Sequence, residues 1–211
     1  MGADLIVVNH HLFFADLALK DTGFGELIPE AQTVIFDEAH QVPDIATEYF
    51  GEQVSTRQIM ELCRDVDIEY RTHLKDSKQL SIDADKLKGT VQDFRLLFPE
   101  NPERGRWPEQ MNRSEVQSAM TNINEALTFL NDVIKMNIGR SKDIDSAYER
   151  CCQIKSKLTK LNQVEKSGFS YWYETTQRHL ILHITPLSIA EKFEYILAES
   201  NASWIYTSAT L

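Results

Sequence analysis

The hydrophobic pattern of this 211-residue sequence changes twice, and this change limits the possible folds more than any other feature. Near both ends the apolar residues form short continuous runs: "ADLIVV" (3–8), "TVIF" (33–36) and "SWIY" (203–206). Such runs are typical of strands that are buried on both faces, as in a parallel sheet. Between them, apolar residues recur every three or four positions, which predicts amphipathic helices. We therefore expect an α/β sheet that is interrupted by a mostly helical excursion.

The first fifty residues predict a strand, a helix and a second strand. The first strand covers residues 4–9, Asn9 can cap the short helix that follows, and the second strand covers residues 33–36. Because the joins are short, the order suggests a right-handed α/β crossover.

The helical middle begins at about residue 51, where Ser55 can cap the first helix. Two long helices, over about 114–137 and from Ser141 onward, are expected to pack antiparallel across the turn "NIGRS". Residues 98–108 are rich in turn formers and predict a break between helices. After Gly168, "FSYWYETT" and "RHLILHIT" alternate as the strands of a β-hairpin do, and Pro186 is expected to open a final helix.

These patterns divide the chain into three segments. Residues 1–50 and 185–211 are expected to form one α/β domain, and residues 51–184 form a mostly helical insertion that ends in the hairpin. Because the chain begins and ends beside predicted strands, we also expect it to be an internal piece of a longer polypeptide.

Composition excludes several classes of protein. The formal net charge of −10 argues against a surface that binds nucleic acid over its whole extent, although a local basic groove is compatible with it. Three cysteines, two of them adjacent, do not form a disulfide framework and indicate a reducing, cytoplasmic setting. No apolar run has the length needed to span a bilayer, so we expect no membrane association.

An acidic stretch follows the second predicted strand, in the sequence "TVIFDEAHQV". The carboxyl ends of strands in open α/β sheets are where such sheets bind ligands. Nucleotide hydrolysis needs one carboxylate for Mg²⁺ and a second group that activates the attacking water, and Asp37 and Glu38 fit these two roles. His40 is placed to sense the same site. Taken alone, a strand that ends in two acidic residues is more often a solvated acidic turn.

A second polar stretch, "TSAT", follows the last predicted strand. It comprises Thr207, Ser208, Ala209 and Thr210, whose hydroxyl groups could form hydrogen bonds across to His40. Alone it would be a small polar turn. Two polar stretches in this order, both at strand ends, predict a shared site.

The two stretches together resemble motif II (Walker B) and motif III of superfamily 2 helicases. The surrounding sequences "ADLIVVNHHLFF", "VIFDEAHQVPDIATEYFGEQVS" and "SWIYTSATL" are similar to the iron–sulfur DNA helicases related to XPD and DinG, and within them to the bacterial YoaA branch. In that family a helical Arch domain is inserted into helicase domain 1, a RecA-like parallel-sheet domain, between these motifs. The resemblance covers roughly the first 55 and last 40 residues, whereas the middle matches only by its position in the chain and its helical pattern of apolar residues.

The resemblance implies roles for the motif residues. Asp37 would coordinate Mg²⁺ through water, Glu38 would activate the hydrolytic water, and His40 would couple the nucleotide site to Thr207, Ser208 and Thr210. It also implies ATP as substrate, a 4Fe-4S cluster in the parent protein, and 5′ to 3′ translocation on single-stranded or forked DNA in repair or replication. In the YoaA branch, a replication clamp-loader subunit is a plausible partner.

Two groups of residues are candidate DNA contacts: Asn9, His10 and His11 by resemblance, and the basic-aromatic loop of Arg104, Arg106 and Trp107, which could stack on bases. Each group has a plainer interpretation. The first group can simply start a helix, and the second can form a solvated turn with its tryptophan packed against a helix.

The sequence lacks parts that ATP hydrolysis requires. None of the eight glycines belongs to a G-x-x-x-x-G-K-[ST] loop, and the three cysteines do not resemble the four ligands of a cluster. The resemblance places the cluster ligands before residue 1. We therefore expect this piece to be inactive by itself. The rival interpretation is a non-catalytic helical module that binds a partner protein and carries a vestigial acidic strand end.

Overall fold

The computed structural model describes residues 3–21, 27–163 and 168–209, apart from the side chains at positions 18, 21, 48, 191 and 192. In chain order, its regular elements are α1 (His10–Asp21), β1 (Thr33–Phe36), a 3₁₀ turn (Ala39–Gln41), α2 (Val42–Phe50), β2 (Glu52–Ser55), α3 (Thr56–Thr72), α4 (Lys78–Leu96), β3 (Arg104–Arg106), α5 (Trp107–Gln110), α6 (Ser114–Lys135), α7 (Lys142–Asn162), β4 (Phe169–Thr175), β5 (Leu180–Pro186), α8 (Ala190–Glu199) and β6 (Ser203–Tyr206).

The described chain divides into two compact units. The first unit takes its described residues from 1–52, 168–170 and 185–211, and the second unit takes them from 53–167 and 171–184. Within the described residues, no helix is both long enough and apolar enough to cross a membrane.

A parallel pair of strands organises the first unit. β1 pairs with β6 in a register that sets Thr33 opposite Ser203 and Phe36 opposite Tyr206. Because parallel strands run in the same direction, both strands end at the same edge of the sheet. The expected α/β class and the two strands predicted at 33–36 and 203–206 are therefore confirmed.

Phe36, the last residue of β1, is the centre of an aromatic core and is only 2% exposed. Its ring centroid lies 5.0 to 6.3 Å from those of six other aromatic residues: His10, Phe13, Phe14, Phe193, Trp204 and Tyr206. Packed aromatic rings contribute beyond the area that they bury. The end of β1 is thereby held in place directly before the acidic stretch.

The strand predicted at residues 4–9 is wrong, because the structure has no regular element there. Leu5 and Val7 are 80% and 87% exposed. An apolar run becomes a buried strand only if another strand offers it hydrogen-bond partners, and in the described residues the sheet of β1 and β6 has two strands and does not include residues 4–9. The predicted crossover is therefore not formed. The expected cap of α1 is confirmed, since the Leu12 amide donates to Asn9 Oδ1 at 2.8 Å.

Four helices form the body of the second unit: α3 packs on α4, α4 on α6, α6 on α7, and α7 back on α3. The two predicted long helices are confirmed, and the predicted cap at Ser141 accepts a hydrogen bond from the Ile144 amide at 3.1 Å. Ser55 and Gln58 form a reciprocal capping box at the start of α3. The periodic apolar residues of these helices supply most of a single buried core.

A four-stranded sheet, ordered β2-β5-β4-β3, completes the second unit. The predicted hairpin strands β4 and β5 are confirmed, with alternating buried and partly exposed residues. Two details differ from expectation. β3 lies inside the predicted break at 98–108, because its pairing with β4 is a tertiary interaction with no local apolar signal. Pro186 ends β5, and the final helix begins only at Ala190.

Candidate functional site

The ends of β1 and β6 are joined by backbone hydrogen bonds that continue past both strands. The Thr207 amide donates to the Phe36 carbonyl oxygen at 2.8 Å, and the Ala39 amide donates to the Thr207 carbonyl oxygen at 2.9 Å. Thr207 is thus bound through both of its backbone groups to the chain on either side of Asp37. The polar stretches after the two strands are brought together as the sequence predicts.

Asp37 lies at this junction with an exposed side chain. Its Oδ1 atom accepts hydrogen bonds from Thr207 Oγ1 at 2.9 Å and from the Glu38 amide at 3.0 Å. Hydrogen bonds to an ionised carboxylate are stronger than those between neutral groups. The carboxylate is therefore oriented by its surroundings while it stays accessible.

Glu38 adopts a left-handed backbone conformation, with φ 50° and ψ 47°, and is the one non-glycine with positive φ among the described residues. This conformation costs an L-residue with a long side chain roughly 1 kcal/mol or more. It turns the chain sharply out of β1 into the 3₁₀ turn, where the Gln41 amide donates to the Glu38 carbonyl oxygen at 2.9 Å. Strain of this kind is concentrated at functional sites.

His40 connects the second acidic residue to β6. Its Nδ1 atom lies 2.9 Å from Ser208 Oγ and 3.3 Å from Glu38 Oε2. The side chains of His40 and Glu38 are 45% and 47% exposed, so their contact adds little to stability. Its position between a carboxylate and a hydroxyl suits a group that relays changes between the two strand ends.

The remaining residues of the second stretch are placed less completely. Ala209 lies in an exposed turn. Thr210, which the sequence assigns to the same motif, lies outside the described residues.

The contact between Thr207 and Asp37 was missed by sequence reasoning, which directed the whole second stretch toward His40. A signal for it exists in the sequence. "TVIF" and "SWIY" are both four residues long, so aligning them as parallel partners places position 37 opposite position 207.

An Mg²⁺ role is compatible with the donor set at Asp37. Carboxylate oxygens are ligands that Mg²⁺ prefers, and nucleotide sites commonly use one or two carboxylates together with substrate phosphates and water. No group of three or more His, Cys, Asp or Glu residues in the described parts of the chain is arranged to hold a metal ion by itself. A single carboxylate that shares the ion with the phosphates of a substrate would fit this arrangement.

The cysteines do not fit an iron–sulfur cluster. Cys63 and Cys151 are buried inside α3 and α7. Burial raises the pKa of each thiol to about 12, so both stay protonated at neutral pH. Cluster ligands are thiolates. Cys152 is partly buried, and its Sγ atom lies 3.5 Å from Asn131 Oδ1.

The candidate DNA contacts at the start of α1 have structural partners. Asn9 caps the helix, the His10 ring lies 5.7 Å from the Phe36 ring, and His11 Nδ1 lies 3.5 Å from the Tyr49 hydroxyl. These contacts agree with the interpretation of helix-start residues. A DNA contact at these positions stays a prediction.

The basic-aromatic loop differs from the sequence prediction at its tryptophan. Trp107 is 0% exposed, and its Nε1 atom donates to the Leu161 carbonyl oxygen at 3.0 Å, so it cannot stack on a base. The interpretation in which it packs against a helix is the correct one, because the indole fills the core of the second unit. Arg104 and Arg106 are exposed and form ion pairs with Glu174 and Glu109. Their role in binding DNA stays a prediction.

Known proteins provide a further constraint. No family model matches the sequence. Two curated proteins named ATP-dependent DNA helicase YoaA align with all of it: the one from Haemophilus influenzae is 51% identical over 212 residues and the one from Escherichia coli is 49% identical over 211 residues. The chain spans about a third of their length, 33% of each.

Among solved structures, the S. tokodaii Xpd4 structure is 14% identical, and the match covers 96% of this chain and 39% of that one. The TM-score of this match is 0.42. The two alignments with YoaA proteins extend over the whole sequence at about 50% identity, and they include both strand ends of the candidate site. The chain is therefore similar, over its whole length, to a segment that makes up one third of these proteins named ATP-dependent DNA helicase YoaA.

Proposed function

We propose that this chain is a segment of an ATP-dependent DNA helicase and that the ends of β1 and β6 form part of its ATP-hydrolysing site. One observation carries the proposal: two consecutive residues after β6 are linked by hydrogen bonds and ion-pair contacts to the two consecutive carboxylates after β1. Thr207 contacts Asp37 directly, and Ser208 reaches the Glu38 carboxylate through His40. The two related proteins are named ATP-dependent DNA helicases, which supports the same activity.

In this proposal the two carboxylates have different tasks. Asp37 would hold Mg²⁺ through water, and the ion would supply positive charge that offsets the charge of the phosphates of ATP. Glu38 orients the attacking water and accepts its proton, as a carboxylate can when it lies within hydrogen-bond reach of the nucleophile. A regular strand would point adjacent side chains to opposite faces of the sheet, and the strained turn at Glu38 interrupts this alternation. Asp37 contacts Thr207 and Glu38 contacts His40, so both carboxylates stay near the end of β6.

His40 and Ser208 provide the coupling between ATP and DNA. A change in the charge or position of the Glu38 carboxylate alters its contact with His40 Nδ1, and the same nitrogen contacts the Ser208 hydroxyl on β6. Thr210 belongs to the same motif in the proposal. The end of β6 thereby responds to the state of the nucleotide.

The larger assignments extend the proposal and draw on the similarity to the YoaA proteins. Residues 1–50 and 185–211 belong to a RecA-like first motor domain, and residues 51–184 form the Arch. The two compact units support this division. The parent protein acts in the bacterial cytoplasm on single-stranded or forked DNA, with 5′ to 3′ polarity, in repair or replication. Its other parts supply the phosphate loop, the 4Fe-4S cluster and the second motor domain, and a clamp-loader subunit is a partner.

The test is the Glu38→Gln variant of the full-length parent protein. Glutamine keeps the shape of the side chain but cannot accept the proton, so DNA-stimulated ATP hydrolysis should fall by roughly 10²- to 10⁴-fold while DNA binding persists. Glu125→Gln, an exposed change on α6, is the matched control and should leave both properties unchanged. Normal unwinding by Glu38→Gln would favour the non-catalytic binding module instead.

The 211-residue chain by itself is proposed to be inactive. Tight ATP binding needs a phosphate loop, which this sequence lacks. Phosphate release from ATP by the purified chain, measured with and without single-stranded DNA, should not exceed the background. Turnover that DNA stimulates would contradict this part of the proposal.

A further inference from the structure

We infer that Thr207 is a positioning residue for the Asp37 carboxylate and that its task is separate from the coupling through His40 and Ser208. The inference rests on the proposed function, because it assigns Thr207 to the Mg²⁺ ligand of that site. It divides the second stretch into two parts: Thr207 serves metal binding, and Ser208 serves coupling.

The hydroxyl of Thr207 has two acceptors within reach. Its Oγ1 atom lies 2.9 Å from Asp37 Oδ1 and 3.3 Å from the Phe36 carbonyl oxygen. A hydroxyl has one hydrogen to donate, and the shorter contact leads to the charged acceptor, which binds it more strongly. The hydrogen bond to Asp37 is therefore the preferred one.

The two donors at Asp37 Oδ1 differ in what they fix. The Glu38 amide belongs to the next residue in the chain and moves with Asp37. Thr207 belongs to another strand and is anchored there through both its amide and its carbonyl group. The Thr207 hydroxyl is consequently the contact that ties the carboxylate to the neighbouring strand. Because both donors use one oxygen, the direction of the second carboxylate oxygen is also defined.

His40 is not part of this contact. Its Nδ1 atom is shared between Ser208 Oγ and Glu38 Oε2, whereas Thr207 reaches Asp37 without an intermediary. Changes at Thr207 and at Ser208 should therefore have different consequences. Loss of the Thr207 hydroxyl should weaken binding of the divalent ion, and loss of the Ser208 hydroxyl should leave that binding intact while it changes the link between ATP turnover and unwinding.

The experiment measures divalent-ion binding directly. In the full-length parent protein with saturating ADP, free Mn²⁺ is followed by electron paramagnetic resonance for the wild type, Thr207→Val, Thr207→Ser and Ser208→Ala. Valine keeps the branched shape and removes the hydroxyl, so the Mn²⁺ dissociation constant should rise about tenfold, the lower end of the range for loss of a group that orients a metal ligand. Serine should restore it to within about twofold of the wild type, and Ser208→Ala should match the wild type.

Two results would overturn the inference: an unchanged dissociation constant in Thr207→Val, or an equal increase in Ser208→Ala, which would indicate general loosening of the strand end. Thermal unfolding followed by circular dichroism identifies any variant that fails to fold. In that case Thr207→Ala, which adds no apolar branch, provides the comparison with Thr207→Ser. Full ATP turnover by Glu38→Gln would instead disprove the proposed hydrolytic role, whatever the Mn²⁺ measurements show.

Discussion

Gly105 in β3 is the position where a single added carbon has the most predictable effect on stability. It pairs with Tyr173 of β4, and a Cβ at this position would lie 2.7 Å from Tyr173 Cε1 and 2.9 Å from Cζ. Carbon atoms in contact need about 3.5 Å or more, so the ring would have to move by about 0.8 Å. The backbone of Gly105 is not in the left-handed region, and the conflict is therefore one of space alone.

Tyr173 cannot move freely to relieve this conflict. It is 2% exposed, and its hydroxyl donates to Glu103 Oε1 at 2.5 Å. The hydroxyl oxygen of Tyr173 also accepts a hydrogen bond from Gln110 Nε2 at 3.3 Å. Overpacking of a well-packed core costs about 1–3 kcal/mol. Replacing glycine by alanine also stabilises the folded state by about 0.4–1 kcal/mol, because alanine lowers the conformational entropy of the unfolded chain. We expect Gly105→Ala to lower the free energy of unfolding by about 1–2 kcal/mol.

Urea unfolding of the 211-residue chain, followed by far-UV circular dichroism, measures this change. Gly89→Ala is the matched control in the same unit, because Gly89 lies within α4 and an added Cβ meets no atom within 4 Å. It should stabilise the unit by roughly 0.5–1 kcal/mol, since alanine has the higher helix propensity. If Gly105→Ala proved as stable as the unsubstituted 211-residue chain, the predicted steric conflict with Tyr173 would be refuted.

Two further predictions concern the second unit. Trp107→Phe should lower its free energy of unfolding by about 1–3 kcal/mol, because the Leu161 carbonyl oxygen loses its buried donor; equal stability in urea would contradict this. Burial lowers the pKa of His183, whose ring is stacked at 3.7 Å on Trp172. The unfolded chain therefore binds a proton more readily, so His183 supports stability above about pH 6.5 and that support is lost as the pH falls through the lowered pKa. His183→Phe keeps a stacked ring and should reduce the loss of stability at low pH. The loss should not vanish, because burial also lowers the pKa of His179. An unchanged dependence of stability on pH would show that His183 does not contribute to it.

The helical middle was predictable because its signal is local. A helix shows one face to the core every three or four residues, so residues such as Ile123, Leu127 and Leu130 reveal the buried side without knowledge of the partner. Caps are local too, and Ser55 and Ser141 mark the true starts of α3 and α7. The same reasoning succeeded for Asn9 at the start of α1.

Strands are less predictable, because a strand depends on partners that are distant in the sequence. Residues 4–9 have the composition of a buried strand and yet form none. The polar residues 104–106, by contrast, form β3 because they pair with β4 at the edge of the sheet. Trp107 is likewise a candidate base contact in the sequence but a core residue in the structure, because its burial depends on how the whole unit packs.

The sequence by itself determined the α/β class, the helical middle, the two polar strand ends and, through its motifs, the similarity to known helicases. It could do so because these features depend on periodicity, residue type and order along the chain. Only the tertiary structure decided that Asp37 is bound by Thr207 while Ser208 is bound by His40, and that Glu38 turns the chain through a left-handed conformation. These features depend on the register of two strands about 170 residues apart, and a hydrogen bond of about 2.9 Å exists only once that register is set.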